Sequence, residues 1–135
     1  MKGDPGDASA WFRLSRRDLD KARRDLAQGD LPYSLIQLQQ AAEKACKGWL
    51  LARGWSLVKT HDLVFLLEEI RIRGIDVDEF KPAGALLSKE FLEERYISLD
   101  AEPEPTEPEA RKLLDAVDRL FEILNIPPDP VTGSP

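Results

Sequence analysis

Leu35-Ile36-Gln37-Leu38-Gln39-Gln40-Ala41-Ala42-Glu43-Lys44-Ala45-Cys46-Lys47-Gly48-Trp49-Leu50 decides the fold of this chain. Its apolar residues, Leu35, Leu38, Ala41, Ala42, Ala45, Cys46, Trp49 and Leu50, recur at helical spacing. They cover an arc wider than the single stripe of a surface helix. A helix with so broad an apolar arc packs on more than one neighbour and is the centre of a bundle. Pro32 suits the first turn of this helix and Gly54 its stop, so it runs from Pro32 to about Arg53.

Four further amphipathic stretches flank it. The first runs from about Ser9 to Gln28, with Phe12, Ser15, Leu19, Ala22 and Leu26 on one stripe and Arg13, Arg17, Lys21 and Arg24 opposite. The third follows Thr60, read as its N-cap, carries Leu63, Val64, Leu66, Leu67 and Ile70, and stops at Gly74. The fourth spans Asp78 to Tyr96, with Phe80, Leu87 and Phe91 on one face. The fifth begins after Thr106, has Pro108 in its first turn and ends near Leu124. No window alternates apolar and polar residues as a strand does. The expected fold is all-α, an up-and-down bundle of four main helices plus a shorter one. Residues 1–8 form an N-terminal extension and 9–124 the bundle. The Pro-rich 125–135, with four prolines, is a disordered tail. Ser98 to Pro105, acidic and Pro-rich, links the last two helices.

Composition narrows the function. The chain has 135 residues, enough for one core. A net charge of −6 gives no global attraction to nucleic acid. One cysteine and one histidine exclude an internal disulfide and a Cys/His zinc cluster, so no metal site is expected. Neither a signal peptide nor a run long enough to cross a membrane is present, which makes cytoplasmic the expected location. Phosphate-binding loops, nucleophile elbows and metalloprotease motifs are missing as well.

The polar residues that stand out are few. Gln39 and Glu43, one turn apart, border the apolar arc of the second helix; they either make an interhelical hydrogen bond or meet a ligand or subunit. Glu90 and Glu94 extend a core-facing stripe of the fourth helix, with Arg95 a potential partner. Lys59-Thr60-His61-Asp62-Leu63 sets a cation and an imidazole at a helix N-terminus, which favours anions. Phe65 points away from its helix's core side and marks a second contact surface. The basic face of the first helix is interleaved with Asp18, Asp20 and Asp25 and reads as a solvated, salt-bridged surface. Cys46, on the apolar arc, reads as an inert core thiol.

Several of these segments resemble the HEPN family. Tyr33 to Lys47, with its Gln-Gln-Ala-Ala-Glu-Lys-Ala core, is similar to that family's second helix, and Lys59-Thr60-His61-Asp62-Leu63 to the start of its third. Asp18-Leu19-Asp20-Lys21-Ala22 resembles its first helix and Arg95-Tyr96 the end of its fourth. The resemblance implies a bundle that forms homodimers in the prokaryotic cytosol. It also implies a separately encoded nucleotidyltransferase as partner, in a toxin–antitoxin-like or stress-defence system. Some members are ribonucleases that carry an Arg, four to six intervening residues, and a His near the end of a late helix. This chain departs from that pattern. Its one histidine, His61, opens the third helix, seven residues separate it from Arg53 upstream, and Arg95 has no histidine after it.

The expectation is therefore a non-catalytic module, without a cofactor, that binds a nucleotide, the nucleotidyltransferase, or both. The nucleotide site is expected at Glu43, Lys59, His61, Arg95 and Tyr96, with Phe65 at the interface. Lys59 and Arg95 hold phosphate, Glu43 orients one of those cations, and Tyr96 offers a ring for stacking. The alternatives are a divergent ribonuclease acting on RNA through His61, and a dimeric scaffold with no ligand.

Overall fold

A computed structural model describes residues 7–88, 92–93 and 105–128. Its helices are α1 (Ala8–Ala27), α2 (Leu31–Leu51), α3 (Leu63–Ile72), a 3-10 turn (Asp78–Phe80) running into α4 (Lys81–Leu86), and α5 (Glu107–Leu124). There is no strand among the described residues. The chain is an all-α bundle, as the periodicity predicts.

α2 is its axis. It packs on α1, α3 and α5, and the α1–α2 pairing is the most extensive among the described residues. Thirteen of its residues are buried, including Leu38, Ala42 and Trp49. The stripe of α1 faces it: Ser15, Leu19, Ala22 and Leu26 are buried, with Phe12 partly so. Gly48 permits that close approach, because a Cβ there would lie 2.7 Å from the Phe12 ring. From the other side α5 contributes Ala110, Leu114, Val117, Leu120, Phe121 and Leu124.

Local chemistry places the ends. Asp7 caps α1 by accepting the Ser9 N–H at 3.0 Å. Gly29, Gly54 and Gly74 follow α1, α2 and α3 with positive φ, the backbone that a helix stop requires. Thr106 caps α5 and forms a reciprocal box with Glu109. At the far end Asn125 adopts the left-handed conformation, with φ 53°.

Three boundaries differ from the sequence reading. The cap of α3 is Asp62, whose carboxylate accepts the Phe65 N–H at 3.1 Å, and the helix starts three residues after Thr60. Thr60 does a different job: its hydroxyl accepts the Asp62 N–H at 3.0 Å and fixes the turn before the helix. The expected fourth helix opens as a 3-10 turn because Pro82 follows so closely, and α4 ends at Leu86, with Leu87 turned into the core. Phe91, Glu90, Glu94, Arg95 and Tyr96, and nearly all of the Ser98–Pro105 linker, lie outside the described residues. Finally, the segment after Leu124 begins packed. Ile126 is buried, and the Arg16 guanidinium donates to the carbonyls of Ile126 and Pro127 while stacking over the Phe121 ring.

Candidate functional site

Gln39, Glu43 and Lys47 succeed one another at four-residue intervals on one face of α2, and all three are buried. The Glu43 carboxylate is their hub. Its Oε1 accepts from the Gln39 amide at 2.8 Å, and its Oε2 accepts from the Lys47 ammonium at 2.8 Å. A third partner arrives from the α2–α3 loop: His61 Nδ1 lies 2.8 Å from Oε1. Burial alone pushes a carboxyl pKa up. Here the donations from Lys47 and His61, with Gln39 behind them, more than offset it and hold Glu43 below the usual carboxylate value. Glu43 is therefore ionised at neutral pH. The Trp11 ring of α1, 5.5 Å from the Lys47 ammonium, closes the cluster on that side.

An ionised carboxylate only accepts hydrogen bonds, so the proton between it and His61 sits on Nδ1. The loop backbone is fixed on both sides of the imidazole, by the Thr60 turn and by the Asp62 cap. The His61 side chain remains 52% exposed. Its second nitrogen, Nε2, has no partner among the described residues. The result is a half-exposed imidazole aimed by a buried carboxylate, an arrangement suited to accepting a proton or a hydrogen bond from a ligand.

Lys59 is exposed, two residues before His61, with no ion pair or hydrogen bond among the described residues. The expected division of labour changes here. The cation beside Glu43 is Lys47 rather than Lys59, and the group Glu43 orients is His61. The reason is geometric: Lys47 shares the helix face of Glu43, whereas Lys59 sits in the loop. The α3 N-terminus is also less inviting to an anion than its position suggests. The Asp62 carboxylate already occupies its Phe65 N–H and adds a negative charge there. Any phosphate would be held by side chains. Arg95 and Tyr96 fall outside the described residues.

Lys47 is the member that sequence reasoning passed over. A Glu followed four residues later by a Lys is a favoured helical pair, and that spacing was the available signal. Cys46, close to Glu43 on α2, is fully buried; desolvation, reinforced by the Glu43 charge, raises its thiol to about 12, which leaves it inert. Phe65 is 39% exposed, with Val64 and Ile72 also open to solvent on α3. No group of carboxylate, imidazole and thiol side chains able to hold a metal occurs among the described residues, and none of the described helices is long and apolar enough to cross a membrane.

A family model described as HEPN domain matches residues 8–126. Among solved structures, TT1696 from Thermus thermophilus is 28% identical, with a TM-score of 0.74 over 87% of this chain and 95% of that one. The archaeal HEPN homologue ST0689 is 24% identical, with a TM-score of 0.70 over 88% of this chain and 95% of that one, which speaks to the fold. No curated protein matches.

Proposed function

The chain belongs to the HEPN domain family, and from that premise we propose that it is a non-catalytic module that binds a nucleotide at the Glu43–His61 corner of the bundle. One observation carries the reading. A buried, ionised carboxylate holds His61 in a fixed pose beside Lys59, an exposed cation without a partner among the described residues. Lys59 supplies charge for a phosphate, His61 a directional group for the rest of the ligand, and Arg95 and Tyr96 a second cation and a stacking ring. The non-catalytic part rests on the sequence, in which no Arg stands four to six residues before the single histidine.

The module acts as a homodimer, with Phe65 in the interface, and alongside a separately encoded nucleotidyltransferase in the cytoplasm of a prokaryote, within a toxin–antitoxin-like or stress-defence system. Family membership, the bacterial and archaeal sources of the two similar structures and the open apolar side chains of α3 support this setting.

Calorimetric titration with ATP tests the site. Lys59→Ala is expected to weaken binding by roughly tenfold or more, the value of a charge-assisted contact. Arg95→Ala is expected to weaken it too, and Arg24→Ala, on the distant basic face of α1, to leave it unchanged. Equal affinities for the wild type and Lys59→Ala would remove Lys59 from the site. A second reading, a divergent ribonuclease, is favoured by the Glu43–His61 pair itself, since a carboxylate-held imidazole is the usual form of a general base. RNA cleavage by the purified protein that disappears in His61→Ala would establish it over the first.

A further inference from the structure

The geometry points to a second ligand site: a cavity between α4 and α5 that takes a small amphipathic anion, a carboxylate on an aliphatic tail, with the tail inside and the head at Lys112. This site is independent of the nucleotide reading. The cavity has a volume of about 430 Å³, within the range of roughly 300–1,000 Å³ typical of small-molecule sites. Its wall is mostly apolar and includes Leu35, Pro82, Ala83, Leu92, Leu113 and Ala116. Leu35 places it beside the first turns of α2, about two turns before Glu43, and none of Glu43, Lys59 and His61 lines it. Protein interiors leave few voids larger than a water molecule. This one persists because Ala83 on α4 and Ala116 on α5 offer only methyl groups where the two helices border it.

Water is a poor occupant of such a space. A buried water needs about two to four polar partners, and the apolar wall supplies none. At the rim Leu86 leaves a large apolar side chain 45% exposed, which an aliphatic tail would cover. Charge at the mouth selects the head group. Three charged side chains line the cavity: Glu79, Glu109 and Lys112. Glu79 is paired with Arg119 at 3.4 Å. Glu109 accepts the Thr106 N–H at 3.0 Å and the Thr106 hydroxyl at 2.9 Å in the α5 capping box. Lys112 has neither an ion pair nor a hydrogen bond among the described residues. The charge left to be answered is therefore positive. A carboxylate there accepts a charge-assisted hydrogen bond from the Lys112 ammonium while its tail displaces water from the wall.

Titration of the full chain with decanoate, decanol and decylamine at neutral pH tests the inference, followed by NMR of the Leu35 and Leu113 methyl groups. Decanoate is expected to bind tightest and to shift both. Lengthening the probe from hexanoate to octanoate to decanoate is expected to tighten binding by up to about fourfold per methylene. Lys112→Gln, a surface change, is expected to weaken decanoate by roughly two- to fivefold and to leave decanol unchanged, the worth of an exposed ion pair. Ala116→Leu, which fills part of the space, is expected to weaken all three probes while the chain stays folded. Tighter binding of decylamine than of decanoate would give the mouth to Glu79 and Glu109 and overturn the anionic head. Decanoate binding that is indifferent to Lys112→Gln would overturn the placement of that head. Unmoved Leu35 and Leu113 methyls with every probe would overturn the cavity as a site.

Discussion

Glu43 shows what a single residue can do when a helix buries it. A lone carboxylate at a site 7% exposed would be costly, and Gln39, Lys47 and His61 together meet that cost. Removing it has the opposite effect: Glu43→Ala leaves the Lys47 ammonium buried without its counter-charge and is expected to destabilise the fold by about 3 kcal/mol, measured by urea unfolding. The same cluster predicts a pH dependence. The folded carboxyl titrates below its ordinary value, so the unfolded chain binds more protons in that range. Its stabilising contribution is complete above the ordinary carboxylate range, about pH 4.5, and is lost as pH falls through the folded value. The gap in urea midpoint between the wild type and Glu43→Gln should therefore be wide at pH 7 and shrink progressively as the pH falls below about 4.5. A gap that stayed constant would mean that Glu43 is not ionised in the folded protein.

Among the helices, α2 and α5 carry the clearest tests. Gly48 sits where a Cβ would press on the Phe12 ring at 2.7 Å and on Trp11 Cβ at 3.1 Å. Overpacking of this kind costs about 1–3 kcal/mol, and the better helix propensity of alanine returns only about 1. Gly48→Ala should lower stability on balance by roughly 1 kcal/mol, the reverse of what alanine does in an open helix. A gain in thermal midpoint would show that Phe12 moves aside freely. Thr106→Ala removes the hydroxyl half of the α5 capping box, leaving the Glu109 carboxylate on the backbone N–H of residue 106, and should cost about 1 kcal/mol. The stops of α1 and α2, the Thr106 start of α5 and the apolar faces of all three were legible in the sequence because they are local: each depends on residues within a turn or two of one another. The start of α3 was not. Thr60 and Asp62 are both competent caps, and the choice turned on how the loop must run to bring His61 to Glu43.

The whole bundle depends on ties between elements distant in sequence. Arg16 joins α1 to the backbone beyond α5, across more than a hundred residues, and stacks on Phe121. Arg16→Ala should cost about 1–2 kcal/mol through two lost hydrogen bonds to carbonyls and the lost ring contact. Hydrogen exchange should rise at Asn125 and Ile126 before it rises in α2. Uniform exchange throughout would mean that the tie has no local effect. At this scale the candidate site is a meeting of α2 with the α2–α3 loop, and its position at the edge of the core explains both of its features: a dry side that holds Glu43 and a wet side that exposes His61.

By itself the sequence determined the all-α class, the central place of α2 and the family, because period, end chemistry and family pattern are all written along the chain. Only the tertiary structure decided that Lys47, not Lys59, neutralises Glu43, and that Glu43 aims His61. Those pairings depend on which helix face meets which loop and how far water is excluded there, and neither quantity exists until the chain has packed.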